Sequence, residues 1–297
     1  MLFTAMPATL RGIILMVVAM GFFTFGDLAV KLTAQNGVPI GQIVTILGVG
    51  MAIFFRLIMV REGQPVYHKK YLIRPVFLRC AGEIIATFGI IYAIALAPLS
   101  TVSALLQSLP LLLTLMGAMF LGERVGIHRI LALLAGLIGV LIIIRPGLAG
   151  FDVYASLTLV GVVGMAMRDF ATRITPSAIT TASLSYHSSV TLAVAGLLYM
   201  MTTEGAVMPD GKALFFAFTM VLLAAFGTFT ISVAMRLGDI SVISPFRFVR
   251  IVFGAAAGIV ILGETIDTPT IIGSMIVVAA GLYSWLRERR LALQATH

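Results

Sequence analysis

The run from Gly238 to Glu264 constrains this chain more than any other stretch. From Ile240 to Leu262 it is apolar and long enough to cross a bilayer, which takes about 20 residues. Arg247 and Arg250 nonetheless interrupt it, and Arg250 falls near the middle of the crossing. A charge at that depth costs about 3 kcal/mol even on the lenient insertion scale, so it needs a partner or a wet cavity. The two arginines are three residues apart and share a helical face. Pro245, just before them, removes the backbone hydrogen bond to the Ser241 carbonyl and loosens the helix where the charges begin. The stretch also has an echo 141 residues earlier, where Ala97-Pro98-Leu99-Ser100 up to Leu121-Gly122-Glu123 matches Gly238-Asp239-Ile240-Ser241 up to Leu262-Gly263-Glu264.

Composition extends the membrane reading to the whole chain. Of 297 residues 60% are hydrophobic and only 11% charged, with a mean hydropathy of +1.10. Soluble domains carry about 25% charged residues. The apolar runs are long and lack strand-like alternation, so they predict helices and not barrel strands. Ten runs of spanning length can be counted: 12–34, 40–60, 76–96, 99–121, 129–144, 154–174, 178–201, 212–236, 240–262 and 270–287. The first is expected to be a retained span and not a signal peptide, because Asp27 and Lys31 interrupt its far end and no small-residue cleavage site follows. The single cysteine, Cys80, excludes an intrachain disulfide and reads as an inert core thiol.

Net charge is +8, which in a soluble protein would raise nucleic acid as a partner. Here the basic residues sort by side instead. With the N-terminus in the cytoplasm, thirteen fall at cytoplasmic ends: Arg11, Arg56, Arg61, Lys69, Lys70, Arg74, Arg124, Arg129, Arg173, Arg236, Arg287, Arg289 and Arg290. Only Arg145 and Lys212 fall opposite, so both termini are expected to be cytoplasmic, with no nucleic-acid partner.

The duplication then acquires a geometry. Residues 1–150 hold five spans, an odd number, so the second copy, 151–297, must enter the membrane inverted. Asp27 and Lys31 recur as Asp169 and Arg173, again an acid followed by a base at i+4. Inverted repeats mark secondary transporters that hold solute near the midplane and work by alternating access.

Ten helices as five plus five, with Leu-Gly-Glu closing both the fourth and the ninth, resemble the drug/metabolite transporter superfamily and specifically its EamA-type members. The resemblance covers essentially the whole chain. Pro110 and Pro245 and the glycine-rich fifth and tenth helices fit it as well. It implies an all-α bundle around a central cavity that opens alternately to either side of a bacterial inner membrane. It also implies small organic cargo such as amino acids, S-adenosylmethionine or riboflavin, with no cofactor. The four-helix layout of the small multidrug members is absent, so their single-glutamate mechanism does not transfer.

Deep charges are the candidate chemistry. Lys31, Arg79, Arg168, Arg247 and Arg250 outnumber Asp27, Glu83 and Asp169 by two. Such a surplus would attract an anionic group, which arginine grips bidentately; a zwitterionic or anionic-group-bearing solute is therefore expected. Asp27 and Asp169 are candidate solute or proton sites, or else anchors neutralised by Lys31 and Arg173. Arg168 points about 100° away from Asp169, so the Asp169–Arg173 pair does not account for it. Glu83 is expected to meet Arg79 or Arg250, and Arg79 to snorkel toward headgroups. Gln107 is either a cargo ligand or a bond to a neighbouring helix. Tyr92, Tyr186, His187, Phe246 and Phe248 are candidate cavity rings, with His187 read more readily as packing. Gly122, Glu123, Gly263 and Glu264 are candidate gating residues. Gly254 and Gly258 form a small-xxx-small surface for close helix contact.

No metal-ligand spacing, phosphate-cradling glycine loop or nucleophile motif is present. A membrane enzyme acting on a lipid-linked phosphate is the rival reading, disfavoured because no paired catalytic constellation sits on a loop. A scaffold without transport would need an output module, and only seven residues follow Arg290. The expected partners are a small-molecule solute and the bilayer, with a homodimer left open.

Overall fold

The computed structural model describes residues 6–121, 127–145, 152–234 and 243–295. The described residues form helices α1 (Ala8–Gln35), α2 (Ile40–Arg61), α3 (Arg74–Leu96), α4 (Leu99–Leu105), α5 (Leu109–Leu121), α6 (Ile127–Ile144), α7 (Val153–Arg173), α8 (Thr181–Tyr199), α9 (Gly211–Ala234), α10 (Val249–Leu262) and α11 (Thr268–Ala295). Among them, eight segments are long and apolar enough to cross a membrane. The other two expected spans are present as shorter apolar helices, α6 and α10. The 99–121 run differs from a single helix, because a 3-10 turn at Leu106–Ser108 separates α4 from α5. Pro110 explains the break: it has no N–H for the Leu106 carbonyl, which accepts instead from the Leu109 N–H three residues on.

The chain divides into two compact units, each drawing on both halves of the sequence. One comprises 1–25, 98–152 and 223–297; the other comprises 26–97 and 153–222. In the second, α3 packs along α7 and α2 along α8. Glycines make this possible. A Cβ on Gly164 would lie 2.3 Å from the Ala86 nitrogen, and one on Gly89 2.6 Å from the Gly161 nitrogen. The α2–α8 crossing is as close, with a Cβ on Gly48 falling 2.5 Å from the Ala193 nitrogen. Lipid supplies no hydrophobic drive between helices, so backbone approach through small residues supplies the contact. In the first unit α6 packs on α11 and α4 on α10, while α1 meets α9 through Phe22 and Phe226, ring centroids 6.1 Å apart. The small-residue surface of α10 is used as expected: Gly254 faces Ser103 of α4, and Gly258 lies near the Ser100 nitrogen.

Turns at the helix ends carry their own electrostatics. Asp267 caps α11, accepting from the Thr270 N–H at 3.1 Å, and pairs with Arg145 beyond α6. Partial burial alone would raise the Asp267 carboxyl, but hydrogen bonds from Thr270 and the Arg145 guanidinium outweigh it and hold its pKa below the usual carboxylate value. A carboxylate with a depressed folded-state pKa stabilises above its unfolded value, about 3.9, and that contribution is lost as pH falls through the folded value. Asp267→Asn is therefore expected to cost about 0.5 kcal/mol at neutral pH, given solvent screening, and nothing well below pH 3. Melting curves of both proteins across that range check it.

Candidate functional site

In the first unit the polar groups gather where two spans break. The turn at Leu106–Ser108 lies between α4 and α5, and a 3-10 segment at Ser244–Phe248 leads into α10. Under the 141-residue offset 106–108 maps onto 247–249, so the two breaks overlap. Pro245 in the first turn of the second break plays the part of Pro110 in the first. Gln107 is buried, and its amide donates a long 3.5 Å bond to the Arg247 carbonyl, which is the neighbouring-helix alternative for this residue. Ser108 is buried too and bonds the Leu105 carbonyl at 2.7 Å. Arg247 lies in the last turn of the 3-10 segment; Arg250, in the first turn of α10, stacks its guanidinium over Phe23 at 5.5 Å from the ring centroid. Phe246 packs against the cluster of Met16, Ala19, Met20, Ala234 and Ile243, and Phe248 rests on Gly281. These two rings therefore have apolar packing contacts of their own.

The end of α10 shows what Leu-Gly-Glu does. Gly263 takes a left-handed conformation at φ 68°, where glycine carries no Cβ penalty. The turn brings Glu264 back to the start of α4. Its carboxylate accepts from the Leu99 N–H at 2.7 Å, the Ser100 N–H at 3.1 Å and the Ser100 hydroxyl at 3.0 Å. Pro98 precedes α4 and offers no side-chain cap, so the glutamate satisfies two of the helix's orphan donors from another span and complements its dipole. The sequence pointed to Glu264 as a gate and missed this capping role. The signal was there: a repeated Gly-Glu terminus, and a helix start whose N-cap residue is proline. Gly122 and Glu123, the counterparts of Gly263 and Glu264, lie outside the described residues.

In the second unit the ionisable groups form an interhelical network. Arg168 of α7 donates to Asp169 at 3.0 Å through Nε and pairs with Glu83 of α3 at 3.5 Å. Although the two Cα–Cβ directions are about 100° apart, the long guanidinium stem swings back to reach its neighbour. The network also corrects the expected partner of Glu83, which is Arg168. Arg79 does not snorkel. It is buried, and its guanidinium donates to the Thr172 hydroxyl of α7 at 2.6 Å and to the Ser185 hydroxyl of α8 at 3.1 Å. Burying a guanidinium is tolerable only when donors are met, and hydroxyls on two facing helices take up its two terminal nitrogens. Lys31 is buried and donates to the Ala97 carbonyl at 2.6 Å, just past the end of α3 where the helix dipole favours a cation. Asp27 is half-buried, one turn before Lys31.

The remaining ring residues lie toward the ends of this unit. The Tyr92 hydroxyl meets that of Tyr199, whose ring stands edge-on to Phe88 at 5.3 Å. His187 sits between two carbonyls, with Nδ1 2.7 Å from the Ser183 oxygen and Nε2 3.1 Å from the Val66 oxygen, and its ring lies against Tyr71. Those are the contacts of a packing residue that holds the 62–73 loop to α8.

Charge divides unevenly between the units. The second holds Asp27, Glu83 and Asp169 with Lys31, Arg79 and Arg168, three of each sign, and Arg247 and Arg250 belong to the first. Among the described residues, no cluster of three or more His, Cys, Asp or Glu could hold a metal ion.

Comparison with known proteins agrees with a transporter. Residues 10–145 match the model of the EamA-like transporter family. The chain is 23% identical over 199 residues to an S-adenosylmethionine uptake transporter of Rickettsia felis, a match covering 67% of each. It is 25% identical over 279 residues to the pseudopaline exporter CntI of Pseudomonas aeruginosa, covering 91% of this chain and 94% of the exporter. To a riboflavin transporter of Vibrio cholerae it is 25% identical, covering 95% and 98%. A solved crystal structure shares the fold, with a TM-score of 0.64 at 18% identity over 94% of this chain.

Proposed function

We propose that this chain, whose residues 10–145 match the EamA-like transporter family, is a member of that family and a secondary transporter of a small solute carrying an anionic group beside an amine, such as an amino acid or S-adenosylmethionine. It is a multi-pass protein of the inner membrane that moves a small metabolite. The observation that carries the solute class is the matched pair of helix breaks in the fourth and ninth spans, with Arg247 and Arg250 at the second. Interrupted helices at corresponding places in two halves point to the substrate site of inverted-repeat transporters. Two arginines at the break favour an anionic group there, since a guanidinium can donate bidentately to a solute oxyanion.

The proposal includes ten spans arranged as inverted repeats, 1–150 and 151–297, cycling by alternating access with both termini cytoplasmic. Helix pairing supports it. Three spans pack on their own counterparts (α2 on α8, α4 on α10, α6 on α11), while α3 on α7 matches α9 on α1. A two-fold relation between the halves generates that pattern. Asp27, Glu83 and Asp169 are the proposed proton or ammonium contacts, Arg168 a proposed solute contact, and the Gly263–Glu264 turn with its counterpart Gly122–Glu123 the proposed gates. The relatives named as a riboflavin transporter and a pseudopaline exporter favour a second reading, in which the solute is a vitamin or the direction is outward.

Uptake into proteoliposomes of amino acids, S-adenosylmethionine and riboflavin tests the proposal. Arg250→Ala is expected to lower uptake of the preferred solute about tenfold or more, the size of one charge-assisted contact, while Arg250→Lys retains part of it. Transport of every accepted solute at the parent rate by Arg250→Ala would remove Arg250 from the site.

A further inference from the structure

An open groove of 410 Å³ runs along the outer face of α2 and α8, lined by Val49, Ile53, Arg56, Leu57, Val190 and Val194 over a floor of Ala52 and Ala193. Its walls are exposed aliphatic side chains: Ile53 is 59% and Leu57 61% accessible. The small floor residues explain the furrow, since α2 and α8 press together at Gly48 and Ala193 while branched side chains rise on either side. From Val49 to Leu57 the groove follows α2 for about 12 Å at 1.5 Å per residue, enough for the upper part of an acyl chain.

Two of the lining residues, Tyr186 and Arg56, are not purely apolar, and Arg56 alone of the lining carries a charge. Arg56 lines it one to two turns before the end of α2, and its Nη1 is buried with no hydrogen-bond partner among the described residues. A buried guanidinium nitrogen left without an acceptor is costly, so such groups are met by an acceptor in the working molecule. The same end of the helix pair carries Arg61, Lys69, Lys70 and Arg74. Lys70 is already engaged, donating to Gln64 and to the Ala178 carbonyl, whereas Arg56 is the cation that lines the groove itself.

We propose that this groove is a binding site for one anionic phospholipid, with an acyl chain along Val49, Ile53, Val190 and Val194 and the phosphate on Arg56. The occupant follows from complementarity. The groove asks for a hydrocarbon chain joined to an oxyanion at its basic end, and a membrane phospholipid supplies both in that order. Arginine suits the phosphate because its fork can donate twice to one phosphate group. The site lies within one compact unit and does not depend on the identity of the transported solute.

Native mass spectrometry of the full chain, released from mixed phosphatidylglycerol and phosphatidylcholine micelles, tests this. One phosphatidylglycerol adduct is expected to survive at about tenfold greater occupancy than phosphatidylcholine, the size of one charge-assisted contact. Arg56→Gln should abolish the preference and Arg56→Lys restore part of it. Ala52→Phe, which fills the floor, should remove the adduct while Arg56 stays in place. Melting of the lipid-free proteins should be the same, which separates loss of the site from loss of the fold. An unchanged preference in Arg56→Gln would overturn the proposal and leave the buried nitrogen to water. Dimer formation through this face, read from cross-linking of Ile53→Cys, would overturn it equally, because a second copy would then cover the groove.

Discussion

Gly164→Val is expected to yield little folded protein, and what folds should melt far below the parent. The added Cβ would stand 2.3 Å from the Ala86 nitrogen and 2.8 Å from the Gly82 carbonyl oxygen. Both obstacles are backbone, so no rotamer change relieves them, and α3 and α7 must move apart. Overpacking of a core typically costs 1–3 kcal/mol where side chains can yield; here the cost should reach about 3 kcal/mol or exceed it. Separation would also pull Arg168 from Glu83 and Arg79 from Thr172, leaving charges stranded inside the membrane unit. Gly211→Ala is the control, because nothing lies within 4 Å of a Cβ there. Size-exclusion yield and melting temperature in detergent read the difference. If Gly164→Val melted with Gly211→Ala, the α3–α7 contact would be looser than described.

Glu264→Ala should produce the second large effect. It removes three acceptor contacts from the start of α4 and leaves the Leu99 and Ser100 N–H groups without their partner. Loss of an N-cap costs about 1 kcal/mol, and a charged hydrogen bond adds to that, so about 2 kcal/mol is expected. Glu264→Gln should fall between, having one acceptor oxygen in place of two. Gly263→Ala should act on the same contact indirectly, since φ 68° penalises a Cβ by about 1 kcal/mol and the turn aims the glutamate. Hydrogen exchange at Leu99 and Ser100 gives the specific readout. Faster exchange at those two amides in Glu264→Ala, with α7 and α8 unaffected, is the expected result; unchanged exchange would mean that the cap contributes nothing.

Much of the architecture was legible in the residues because bilayer crossing is a local requirement. A run of about 20 apolar residues must become a helix to satisfy its own backbone, whatever surrounds it. The Leu-Gly-Glu endings marked correspondence between the fourth and ninth spans, and Pro245 marked where the ninth loosens, whereas the break before Pro110 appeared only in the structure. The partners of the long polar side chains were not legible in the same way. Arg79 looked like a headgroup anchor because its depth can be counted along the helix, while Thr172 and Ser185 lie 93 and 106 residues away in sequence. Glu83 offered an intrahelical partner at i−4 and took Arg168 of another helix instead.

The sequence by itself determined that this chain is a multi-span helical membrane protein, that its fourth and ninth spans share a pattern, and that two more cations than anions lie at depth. Each follows from composition, spacing or counting along one chain. Tertiary structure alone decided that Glu264 caps α4, that Arg168 serves both Glu83 and Asp169, and that Arg79 bonds Thr172 and Ser185. The reason is physical: a flexible polar side chain in a low-dielectric interior takes whichever partner packing brings within about 3 Å, and only packed helices fix which groups those are.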